Sequence, residues 1–171
     1  MRTIERNVYT FDELSEEVRE KVINNLSDIN VDFDWWSHIY EDAKSVGIQI
    51  SSFDLDRNRH AKGCFLLSAA EVAQNILNSH GEKCETYKTT QQFLHDWQPV
   101  FDNYMDETHR DYESNESEDK LMELEDEFLS SLLEDYANML QEECDFLEGR
   151  EAIVETIKAN EYEFYEDGTM F

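Results

Sequence analysis

Apolar positions alternate between strand-like and helical spacing along the chain. The stretch "TIERNVYTF" reads as a first strand, after which Phe11, Leu14, Val18, Val22 and Leu26 recur at helical intervals. Thr10 with Glu13 three residues later matches a capping box, which predicts a helix opening directly after Thr10. "DFDWWSHIYEDAKSVG" predicts a second helix, stopped at Gly47 by a residue suited to a left-handed cap. "IQISSFDLD" and "GCFLLS", joined by the polar turn "RNRHAK", predict a hairpin. Ser68 and Glu71 repeat the capping-box pattern before "AAEVAQNILNSHG". Residues 89–113 read as a helix with Phe93, Trp97, Val100, Phe101 and Tyr104 on one side, kinked or restarted at Pro99.

The segment "NESEDKLMELEDEFLSSLLEDYANMLQEECDFLEG", residues 115–149, is the most patterned of all. Leu121, Leu124, Phe128, Leu132, Tyr136 and Leu140 make one apolar stripe. At about 100° per residue, Glu116, Asp119, Glu123, Asp126, Glu127, Glu134 and Asp145 project away from it. Glu125, Asp135 and Glu143 fall on or near the stripe, which implies either a bend in the helix or a partly open seam. "REAIVETIKAN" then reads as a helix and "EYEFYEDGTMF" as a last strand. The order β-α-α-β-β-α-α-α-α-β predicts a single α+β domain over residues 1–171. It would pack a small antiparallel sheet of about four strands against several helices, one of them long and acidic.

Charge changes the picture most. The 171 residues carry 14 basic and 41 acidic side chains, a formal net charge of −27. Residues 1–101 hold 10 basic and 17 acidic groups, whereas residues 102–148 hold 2 and 18. Adaptation to a salt-rich habitat would spread the excess evenly; here it is concentrated. Such a field repels nucleic acid and anionic membranes, and attracts cations or basic protein surfaces. Lys120 is the only Lys or Arg between Arg110 and Arg150, so the long helix forgoes the usual i,i+4 pairs with lysine.

Candidate chemistry is thin beside this. Asp28, Asn30 and Asp32 begin like a calcium loop, but Phe33 and Ile39 stand where a glycine and a bidentate glutamate are required. Asp54 and Asp56 at a strand end would suit a metal-dependent phosphotransferase or hydrolase; Asn58 occupies the position where a hydroxyl is expected. Cys64 follows His60 and Cys84 follows His80 by four residues, without the compact ligand pairs of a zinc site. Three widely spaced cysteines suit reduced thiols. Of the adjacent Trp35 and Trp36, helical geometry lets one ring enter the core while the other reaches its rim. No catalytic, metal or cofactor site is expected. With no apolar signal core in "MRTIERNVYTFDEL" and no window approaching a membrane span, a cytoplasmic protein is expected.

Four blocks carry a family likeness: "YTFDELSEEVREKVINNLSDINVDFDWWSHIYEDA", "ISSFDLDR", "HGEKCETYKT" and "EAIVETIKANEYEFYEDG". They resemble a group of small acidic phage, prophage and plasmid proteins, some labelled antitoxin-like. The likeness spans most of residues 8–90 and 150–168, and implies a mobile element acting in a bacterial cytoplasm. Charge and likeness together lead to the expectation of a non-enzymatic interaction protein. It would block a basic nucleic-acid-binding protein of the host, as a nucleic-acid mimic acting against restriction or another defence. An antitoxin neutralising a basic toxin, and a hydrolase using Asp54 and Asp56, are the alternatives.

Overall fold

A computed structural model describes residues 6–108 and 116–171 of the chain. The elements run in order β1 (Tyr9–Thr10), α1 (Glu16–Asn25), α2 (Ser37–Val46), β2 (Ile48–Asp54), β3 (His60–Phe65), α3 (Ala69–Ser79), α4 (Glu85–Thr108), α5 (Glu116–Leu147), α6 (Arg150–Ala159) and β4 (Glu163–Phe164). This is an α+β fold. The expected four-stranded sheet is instead two separate antiparallel pairs, β1 with β4 and β2 with β3. Strand-like patterning does not choose a partner: β1 and β4 pair over two residues only, because the chain leaves extended geometry on both sides.

The residues group into two compact units, 6–35 with 142–171, and 36–141. In the first, Phe11, Leu14, Val22, Ile23, Ile153, Ile157 and Phe164 form the buried cluster. The capping box exists, with the Thr10 backbone N–H donating to Glu13 at 2.8 Å and its hydroxyl at 2.9 Å, but it closes a single 3-10 turn over Phe11–Glu13. Leu14 and Ser15 are extended, so α1 starts at Glu16, not Phe11, and Ser15 caps it by accepting from the Val18 N–H. The chain is capped twice because Phe11 and Leu14, 6% exposed each, must both turn into the core.

Asn30 is the polar centre of this unit. It is 7% exposed; its Nδ2 donates to the carbonyl of Leu147 at 2.9 Å, and its Oδ1 accepts from the Thr156 hydroxyl at 2.7 Å. Leu147 ends α5, so its carbonyl lacks an intrahelical donor, and Asn30 supplies one. The aspartates flanking it, Asp28 and Asp32, are exposed, and the segment is a structural tie.

In the second unit, Gly47 ends α2 at φ 101°, as its sequence position implied. The Ser68–Glu71 capping box opens α3, with both reciprocal bonds made. The β2–β3 hairpin carries a bulge at Ser51, and β3 begins at His60, inside the expected turn. The buried side chains include Ile39, Val46, Ile48, Val72, Ile76, Phe93, Phe128, Leu132 and Tyr136. Helix α4 starts at Glu85 and runs through Pro99 without restarting, contrary to the break that proline usually imposes. The last positions expected in that helix, 109–113, lie outside the described residues. Trp35 is buried and Trp36 half-buried, the latter edge-to-face on Phe53 at 5.4 Å.

Candidate functional site

Within the second unit, α4 and α5 lie antiparallel and are joined by a ladder of side chains. Thr89 donates to Asp135 at 2.7 Å, Trp97 Nε1 to Glu125 at 3.2 Å, and Asn103 to Ser117 at 3.0 Å. Between the first two rungs, Phe93 and Phe128 stack with ring centres 4.0 Å apart and planes within 3°. Glu125 and Asp135 sit on the apolar stripe for this reason. They accept hydrogen bonds from α4, and of the two expected alternatives the partly open seam is the one present, as a cleft beside them lined by Phe93, Leu124 and Phe128. Burial, together with the charges of Glu85 and Glu134, pushes the Asp135 carboxyl above the usual carboxylate range against the Thr89 bond.

The other side of α5 is the candidate site. Glu116, Asp119, Glu123, Asp126, Glu127 and Glu134 are all exposed. At about 100° per residue they share an arc about 100° wide, and from Glu116 to Glu134 the ridge extends about 27 Å at 1.5 Å per residue. Lys120 pairs with Glu123, which holds its ammonium pKa up; the pair is exposed and contributes little to stability. Asp145, the seventh acid assigned to this face, is exposed on the last turns of α5 and belongs to the first unit. Six carboxylates over this length amount to about one charge per 5 Å, against about 3.4 Å per phosphate along one DNA strand. The ridge therefore approaches the charge density of a single phosphate row, and falls well short of a whole duplex.

Helix α5 is anchored on its buried side by a cluster that sequence reasoning missed. Asp42 of α2 accepts from the Tyr136 hydroxyl at 3.0 Å and lies 3.6 Å from His80 Nε2. That separation suits an ion pair when the imidazole is charged and is too long for a hydrogen bond. Nε2 is otherwise buried without a hydrogen-bond partner among the described residues, while Nδ1 meets the Thr86 hydroxyl at 2.7 Å. His80, and then Tyr136, hold the Asp42 carboxyl below its usual range against the effect of burial. Burial and the Asp42 charge push the Tyr136 phenol far upward, so it serves as a donor and not as an acid. Only the His80–Gly81 helix end hinted at this cluster, because Asp42, Thr86 and Tyr136 come from three separate helices and His80 from the residue that caps a fourth.

The other candidates are not assembled. Asp54 Oδ1 accepts from the backbone N–H of Asp56 at 2.8 Å, so the pair forms a turn at the hairpin end. His60 Nδ1 meets the carbonyl of Asn58 at 2.7 Å, and His80 Nδ1 the Thr86 hydroxyl as above. All three cysteines are free thiols, with Cys64 and Cys84 exposed. Among the described residues no group of three or more His, Cys, Asp or Glu side chains is placed to hold a metal ion. No helix among them is long and apolar enough to cross a membrane. No known protein family, curated protein or solved structure matches the chain.

Proposed function

We propose that the protein is a non-enzymatic acidic inhibitor that binds a basic nucleic-acid-binding protein and occludes its groove with the α5 ridge. The observation that carries this is the one-sided row of six exposed carboxylates on α5, nearly free of compensating cations, on a helix whose opposite side is anchored by hydrogen bonds. Like charges at i,i+4 spacing destabilise a helix by a few tenths of a kcal/mol per pair. A purely solvated face has no need of them, whereas a surface that competes with phosphates does. The field repels nucleic acid itself, so the partner is a protein, and the contact weakens with salt. The setting in a mobile element acting against a bacterial defence, in the cytoplasm, rests on the family likeness of residues 8–90 and 150–168 alone.

The test uses immobilised protein beside a variant with Glu123, Asp126, Glu127 and Glu134 changed to lysine. Proteins from a bacterial lysate are eluted by stepped salt, then challenged on the column with duplex DNA. A basic protein held by the unmodified chain alone, and released by DNA, is the expected result. Equal retention by the charge-reversed variant, or retention indifferent to DNA, would refute occlusion.

A further inference from the structure

The ridge borders a groove. Between α4 and α5 lies an open cleft of about 320 Å³, floored by Phe93, Phe128 and Leu124 and flanked by Asp96 from α4 and Glu127 from α5. Glu127 belongs to the ridge; Asp96 is an exposed carboxylate contributed by the facing helix. We propose that this groove receives an arginine side chain of the basic partner, its aliphatic stem on the Phe93–Phe128–Leu124 floor and its guanidinium between Asp96 and Glu127. The proposal rests on the ridge being the partner-binding face.

Several features select this occupant. The volume lies at the lower end of ligand pockets, about 300–1,000 Å³, which suits one or two side chains and no extended ligand. An apolar floor beneath two carboxylates matches a side chain that is apolar along its stem and cationic at its tip. Arginine fits better than lysine: its planar fork can meet carboxylates on both rims, and it is less strongly hydrated than an ammonium. Asp96 is held in position by donors from its own helix, Gln92 Nε2 at 2.6 Å and His95 Nδ1 at 2.9 Å. These contacts also keep its carboxyl below the usual range, and so ionised. Lys88 also lines the groove, its ammonium paired with Glu85.

Glu127 and Glu134 separate groove from ridge experimentally, because both are exposed ridge acids and only Glu127 lines the cleft. The probe is an octapeptide of alternating arginine and glycine, with its lysine counterpart, titrated calorimetrically at about 20 and about 150 mM salt. Glu127→Gln, and Ser131→Trp to fill the cleft from its α5 wall, are each expected to weaken arginine-peptide binding about tenfold, as loss of a charge-assisted contact does. Glu134→Gln, with the same change in charge, should weaken it less than about threefold. The arginine peptide should bind more tightly than the lysine peptide. Equal losses for the two glutamine variants, with none for Ser131→Trp, would overturn the groove and leave the ridge standing. Absence of any binding by the unmodified protein at low salt would overturn both. A dimer of the unmodified chain that Ser131→Trp dissociates would assign the groove to a second copy, and would likewise overturn the proposal.

Discussion

Replacing Asn30 separates the cost of an unmatched buried polar group from the cost of lost apolar packing. Asn30→Ala removes the bonds to the Leu147 carbonyl and the Thr156 hydroxyl. Each is worth roughly 0.5–1.5 kcal/mol net, so the pair is worth roughly 1–3 kcal/mol. Thr156 is half-buried and can turn to its own helix or to water, whereas the Leu147 carbonyl is a helix-end acceptor that loses its donor. The expected loss is therefore about 2 kcal/mol. Asn30→Asp has nearly the same shape but a different sign at one contact. It still accepts from Thr156, yet sets a carboxylate oxygen where Nδ2 stood, 2.9 Å from a carbonyl oxygen. An unmatched buried charge costs more than a missing bond, so this variant should lose about 3 kcal/mol or more. Urea denaturation of the full chain, followed by helical circular dichroism and tryptophan emission, gives both values. The expected order at neutral pH is wild type, then Asn30→Ala, then Asn30→Asp. The N30D deficit should shrink in acid, where a protonated carboxyl can again donate to the carbonyl. An alanine variant within about 0.5 kcal/mol of wild type, or an aspartate variant milder than alanine, would refute the reasoning.

Asp135 and Gly63 make two further predictions. Because burial holds the Asp135 carboxyl above its usual range, its ionised form destabilises the folded chain. That cost is present above the folded pKa and is relieved as pH falls, so Asp135→Asn, which keeps an acceptor for Thr89, should raise the urea midpoint at neutral pH and lose that advantage near about pH 4. An unchanged or lower midpoint at neutral pH would show that the Thr89 bond depends on the charge. A Cβ on Gly63 would stand 2.3 Å from the backbone carbonyl of Gln49, across the hairpin and beside its bulge. Gly63→Ala should cost roughly 1–3 kcal/mol by the same denaturation measurement, and an unchanged midpoint would show that the bulge absorbs the methyl group.

Local chemistry by itself determined the order of elements, the Ser68–Glu71 and Gly47 caps, the hairpin, and the exposure of the seven acids that project away from the apolar stripe of α5. Each depends on neighbours within a turn or two, where periodicity and capping residues suffice. It placed the start of α1 wrongly because two caps lie five residues apart, at Thr10 and Ser15, and only the burial of Phe11 and Leu14 decides how both are used. It implied one sheet, because alternation marks a strand without naming its partner. Tertiary structure alone decided what the carboxylates on the apolar stripe are for. Glu125 and Asp135 resemble errors in the stripe until Trp97 and Thr89 approach from α4, and those donors lie 28 and 46 residues away in the chain. The same holds for Asn30, which looked like part of a failed calcium loop until Leu147 and Thr156, more than a hundred residues on, supplied its partners. A buried polar group is read by its hydrogen-bond partners, and those partners are brought together only when the chain folds.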